Sequence, residues 1–150
     1  MSGYLIDTNV ISLLAPARGL ASPAFLSWLE QVDGEGGLFL PVVAIHEIEK
    51  GIALLEHKGA HAKAKELTLW LSGLVDSYGD KILAIDTATA AVAGRLEARA
   101  IAAGHNPGMA DATIAAIAQA NDLVIVTVNT RHFRPFGVAA TTPKDVAASG

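Results

Sequence analysis

Three carboxylates interrupt strongly apolar surroundings: Asp7 in "LIDTN", Glu47 in "AIHEIEKG" and Asp111 in "GMADATIAA". Burying an unpaired carboxylate costs several kcal/mol unless something compensates it. Three of them in one crevice would repel one another by several kcal/mol at an effective dielectric of about 20. Hard divalent cations relieve that repulsion. Mg²⁺ or Mn²⁺ suits carboxylate oxygens, and because Mg²⁺ keeps several waters, few protein ligands suffice. Asn9, Thr127 and Asn129 are the polar neighbours that could orient the carboxylates or the metal waters.

Each acid has a plainer reading. An acidic residue near a helix N-terminus stabilises the macrodipole by about 0.3–1 kcal/mol or caps a free amide. For Asp86, before "TATAAVAG", capping is the preferred explanation. Asp111 is divided between dipole partner and functional group. Glu49 and Lys50 already supply the solvated face near Glu47, while Ile45, Ile48 and Ile52 run beside it, so Glu47 is expected to be half-buried. At Asp7 function is favoured, since Thr8 or Asn9 could meet any capping need there.

These residues need elements to position them. Residues 3–7, 38–41, 82–85, 123–128 and 137–142 read as strands. Residues 8–15, 22–31, 42–59, 60–81, 86–104 and 108–122 read as helices, with Ser22 and Pro23 a strong start signal and Gly59 and Gly104 as stops. Leu67, Trp70, Leu71, Leu74 and Val75 form an apolar stripe at helical spacing. The last residues, "DVAASG", are expected to fray. Strands and helices alternate with connections too long for hairpins. That predicts an α/β fold: three layers, α/β/α, around a central parallel sheet of four to five strands. Ligands in such sheets bind at the carboxyl ends of the strands, where strand order reverses. Asp7, Glu47, Asp111, Thr127 and Asn129 all fall there or within a turn beyond.

At 150 residues the expectation is a single domain, residues 1–150, burying roughly 70% of its unfolded surface. Hydrophobic residues make up 51% of the chain, which suits a buried sheet under Ala-rich helices. Cysteine is absent, excluding disulfides, zinc–thiolate sites and cysteine nucleophiles. No leader-like start and no spanning apolar run is evident, so a cytoplasmic location without membrane contact is expected. The net charge of −4 argues against a protein that coats nucleic acid. It argues less against an enzyme whose bound cations hold a phosphate.

"LIDTNVI", "HEIEKGIALL" and "MADATIAAIAQANDLVIVTVNTRHF", in that order, resemble a PIN domain of the VapC type, the ribonuclease toxin of a type II toxin–antitoxin pair. The resemblance runs from residue 4 to about 140 and implies a PIN-like fold and metal-dependent RNA hydrolysis. Matched by motif position, Asp7, Glu47 and Asp111 are the first three acids and would hold one or two ions. The fourth catalytic position falls on Asn129, where other members carry Asp, and Val128 stands where a basic residue is frequent. Water, rather than the ribose 2′-hydroxyl, would attack the phosphodiester and leave a 5′-phosphate. Lys50, Arg131 and Arg134 are the nearest candidates for RNA contact. The resemblance further implies a homodimer and a small antitoxin partner. The apolar stripes in 42–58 and 60–78 could form its groove, and the negative charge would favour a basic partner.

The alternative is a non-enzymatic receiver-like signalling or binding module. Asp86, Thr127 and Lys144 superficially follow its pattern, but an acidic pair after the first strand is missing. A haloacid-dehalogenase-type phosphatase would need a second Asp where Asn9 stands. "HEIEK" is no zincin helix, because Lys50 lies four residues after His46. Of the five histidines, His46 reads as structural and His132 as solvent-facing near the crevice.

Overall fold

A computed structural model describes residues 3–16, 19 and 21–149. Five strands form one parallel sheet: β1 (Tyr4–Ile6), β2 (Leu38–Pro41), β3 (Ile82–Leu83), β4 (Val124–Val126) and β5 (Ala140–Thr141), in the order β3-β2-β1-β4-β5. Among the described residues, seven α-helices connect and flank them: α1 (Thr8–Leu13), α2 (Pro23–Gly34), α3 (Val42–His57), α4 (His61–Tyr78), α5 (Thr87–Ala102), α6 (Met109–Ala120) and α7 (Pro143–Ser149).

The alternation of side chains along β1 builds the two cores. Ile6, paired with Val126, faces a layer of α1, α2, α3, α4 and α7 through Val10, Ile11, Phe25, Leu29, Ile48 and Leu71. Leu5, paired with Ile125, faces α5 and α6 through Leu96, Ile114 and Ile117, with Phe133 and Phe136 closing the edge. This is the expected three-layer arrangement.

Strand order reverses beside β1. The chain leaves β1 toward β2 and β3 on one side, then returns across α5 and α6 to β4 on the other. The carboxyl ends of β1 and β4 therefore flank the switch point, the place where such sheets bind ligands.

Several boundaries differ from the sequence expectation. The strands expected over 82–85 and 137–142 shrink to two paired residues each, because both lie at sheet edges with one neighbour. The helix expected over 60–81 ends at Tyr78, and Gly79–Lys81 form a 3₁₀ turn opened by Gly79 at φ 48°. The helix α2 runs on to Gly34, with Gly36 at φ 76° supplying the turn that ends it. The C-terminal segment does not fray through Ser149. Pro143 starts α7, the Thr142 hydroxyl accepts from the Asp145 amide at 3.1 Å, and Val146 is buried against the α2 layer. Gly150 lies outside the described residues. No helix among the described residues is long and apolar enough to cross a membrane.

Candidate active site

The site is built outward from the end of β1. The Asp7 backbone N–H donates to the Val126 carbonyl at 2.9 Å, extending the β1–β4 ladder by one rung. The residue is 5% exposed, and each carboxylate oxygen accepts one hydrogen bond. Oδ1 accepts from the Thr8 amide at 2.8 Å and Oδ2 from the Thr127 hydroxyl at 2.9 Å. Asp7 is also the N-cap residue of α1, a role for which its neighbours Thr8 and Asn9 are also suited by residue type. With Asp7 accepting the first amide, Thr8 is free to use its hydroxyl elsewhere, and it donates to Glu47 Oε1 at 2.5 Å. Glu47 is half-buried on α3, as its neighbours predict.

Thr127 is the hub on the other strand. Fully buried, it donates to Asp7 and accepts from the Asn129 amide at 3.2 Å and from Asn9 Nδ2 at 3.4 Å. Asn9 Oδ1 in turn accepts from the Val128 amide at 3.3 Å. The Asn9 side chain thus ties α1 to the end of β4, consistent with an orienting role.

Asp111 lies in the first turn of α6, directly before a run of buried residues from Ala112 to Ala118. The His132 ring approaches it, Nδ1 to Oδ2 at 3.8 Å. The other ring nitrogen meets Asn129 Nδ2 at 3.2 Å, and Asn129 Oδ1 accepts from the Arg131 amide at 3.2 Å. His132 is exposed on its 3₁₀ turn, as expected, but its contact with Asp111 was not foreseen.

Electrostatics tie the three acids together. Burial pushes the Asp7 carboxyl up to about 6, its hydrogen bonds from Thr127 and Thr8 pull it down, and the charges of Asp111 and Glu47 push it up again. Asp111 is likewise raised, first by burial, with His132 opposing and Glu47 reinforcing. No Lys or Arg forms an ion pair with any of the three among the described residues. All-carboxylate donors without a basic partner are in kind a set for a hard divalent cation. The side chains are not drawn into a finished cage, however: among the described residues no three His, Asp or Glu side chains stand ready to hold one ion.

Other candidates stay apart. Lys50 is exposed one turn beyond Glu47, and Arg131 and Arg134 are exposed on the turns after β4. None of their side chains reaches the acids. Val128 is 51% exposed beside them. His46 is exposed. The receiver-like pattern is not assembled. Asp86 caps α5 by accepting from the Thr89 amide at 2.8 Å, and hydrogen bonding from the Thr89 side chain, then from its amide, holds the carboxyl below the usual range. The Thr127 hydroxyl belongs to Asp7, and Lys144 is exposed on α7.

Beside the acids, a groove of about 350 Å³ runs between α1, α3 and α4. Thr8 and Glu47 lie along it, Ile48, Ile52, Leu67 and Trp70 give it apolar walls, and Lys63 adds a positive charge.

A family description, "PIN domain", matches residues 4–137. The chain is 31% identical over 139 residues to the plasmid stability protein StbB of Pseudomonas syringae pv. tomato, covering 93% of this chain and 96% of that protein. It is 29% identical over 143 residues to toxin FitB of Neisseria gonorrhoeae, with the same coverage of each. Among solved structures, FitAcB from Neisseria gonorrhoeae matches with a TM-score of 0.75 at 27% identity, over 94% of this chain and 98% of that one. The DNA-bound VapBC of Salmonella typhimurium matches with a TM-score of 0.72 over 95% of this chain and 99% of that one; at 20% identity this likeness speaks to fold.

Proposed function

The chain belongs to the PIN-domain family, and from that premise we propose that it is a divalent-metal-dependent endoribonuclease, the toxin of a toxin–antitoxin pair. The observation that carries the reading is the coupling of Asp7, Glu47 and Asp111 across the β1–β4 switch point, with no Lys or Arg paired to them among the described residues. A relative being a named toxin, and structural neighbours being toxin–antitoxin complexes, support the biological role.

Asp7, Glu47 and Asp111 would hold Mg²⁺ or Mn²⁺. When bound, such an ion supplies a water of lowered pKa and neutralises charge on the phosphate. The protein's own part is orientation. Thr8 and Thr127 fix both oxygens of Asp7, and the Thr8 hydroxyl fixes one oxygen of Glu47, leaving Oε2 without a hydrogen bond among the described residues. Lys50, Arg131 and Arg134, exposed on α3 and on the turns after β4, would steer RNA. The groove along α3 and α4 would take an antitoxin segment, its apolar side chains on Ile52 and Trp70 and a basic one toward Glu47. A homodimer acting in the cytoplasm completes the reading.

The deciding experiment is a nuclease assay with Mg²⁺ or Mn²⁺ on Asp7→Asn and Asp111→Asn, with folding checked by circular dichroism. Both variants are expected to lose at least about a hundredfold in rate, as for loss of charge stabilisation at a reacting phosphate. Full activity in both folded variants would remove this assignment.

A further inference from the structure

We infer that His132 is a positioning residue for the Asp111 carboxylate, held in a single tautomer by Asn129. The inference rests on the divalent-site reading above and adds to it a side chain that supplies no carboxylate.

The tautomer follows from hydrogen-bond accounting. Asn129 Oδ1 accepts from the Arg131 backbone amide, which fixes the side-chain amide with its NH₂ group toward the ring. An NH₂ group only donates, so His132 Nε2 must accept. In neutral imidazole the proton then sits on Nδ1. That N–H faces Asp111 Oδ2 at 3.8 Å, beyond a direct hydrogen bond but near enough for dipole–charge attraction or one bridging water.

Two consequences distinguish this from a ligand role. With Nε2 committed to Asn129 and Nδ1 protonated, neither nitrogen offers a lone pair to a cation. The donor set therefore stays all-oxygen and suited to Mg²⁺ or Mn²⁺ rather than to imidazole-preferring Ni²⁺. Asp111 also keeps Oδ1 unengaged while Oδ2 is oriented. Placement of the ring is secured by its neighbour Phe133, which is fully buried in the core beneath α5 and α6. His132 itself has a side chain 54% exposed, so replacing it leaves the core intact.

The test is calorimetric binding of Mn²⁺, and separately Ni²⁺, to the full chain and its variants. His132→Phe is expected to weaken Mn²⁺ binding about tenfold or more, the usual effect of losing an outer-shell partner. His132→Gln, which keeps both a donor and an acceptor, is expected to recover most of the loss. In an Asp111→Asn background, His132→Phe should change nothing further. Asn129→Ala should weaken binding in the wild-type chain but not in His132→Phe. Unchanged Mn²⁺ affinity in His132→Phe would overturn the positioning role while leaving the divalent reading standing. So would a loss that persists in the Asp111→Asn background, or a selective loss of Ni²⁺, which would make the ring a ligand. A wild-type chain that binds no Mn²⁺ would overturn the divalent reading itself, and this inference with it.

Discussion

Asp7 and Thr127, 120 residues apart in sequence, meet at 2.9 Å across the ends of the two strands that flank the switch point. The contact is buried, and the hydroxyl that makes it also serves Asn9 and the Asn129 amide. One side chain thus aligns the first acid with the loop that carries the residues facing the third.

Thr127→Val keeps the shape and removes the hydroxyl. A hydrogen bond to a charged group contributes about 1.5–3 kcal/mol, so urea unfolding at neutral pH should show a loss of that order. The loss should shrink where Asp7 is protonated. A variant as stable as the parent at neutral pH would mean that the bond contributes no net stability.

Asp7 should make the metal-free protein less stable at neutral pH than its fold allows. Its carboxyl is raised from 3.8 to about 6, so the folded state binds the proton more tightly than the unfolded chain does. Asp7's contribution is then most favourable below about pH 4, declines as pH rises to about 6, and stays at its minimum above. That rise from 3.8 to about 6 corresponds to about 3 kcal/mol. In EDTA at pH 7.5, Asp7→Asn should therefore be more stable than the parent, with the advantage gone near pH 3.5. Equal stability of the two across this range would show that the charge costs nothing in the fold.

Asp86 should be dispensable for chemistry. Asp86→Asn preserves a cap-competent side chain, so nuclease activity should stay within about twofold of the parent. Acetyl phosphate should leave Asp86 unlabelled. A stable acyl phosphate at Asp86 would revive the signalling alternative.

Glycines separate packing from propensity. A Cβ at Gly3 would lie 2.7 Å from the Gly37 carbonyl oxygen and 3.0 Å from the Phe39 ring. Backbone cannot yield cheaply there, and Gly3→Ala should cost about 1–3 kcal/mol. A Cβ at Gly94, inside α5, meets nothing within 4 Å, so Gly94→Ala should gain about 0.5–1 kcal/mol. Thermal melts of the pair should move in opposite directions.

Much of this was legible in the sequence because local signals agreed. "LFLP" is β2 residue for residue, Ser22 and Pro23 start α2, and Asp7 stands where β1 ends. Asp111 and Glu47 were legible as outliers in apolar company. What could not be read were relations set only in space. The Thr8–Glu47 bond depends on α3 packing beside α1, and the His132–Asp111 contact on a turn after β4 folding back toward α6. The C-terminal helix was missed because its stabilisation comes from the α2 layer rather than from its own seven residues.

The seven consecutive buried residues of α6, Ala112–Ala118, begin immediately after Asp111. A helix enclosed on every side cannot unwind locally without exposing the whole inner layer, so its amides should exchange with solvent only through global opening. The third acid therefore stands at the start of the most enclosed helix described, whereas Asn129 and His132 ride on an exposed turn anchored to the core through Phe133. Deuterium uptake should divide the crevice along that line, slow in the α6 amides after Asp111 and faster in the turn that carries Asn129 and His132.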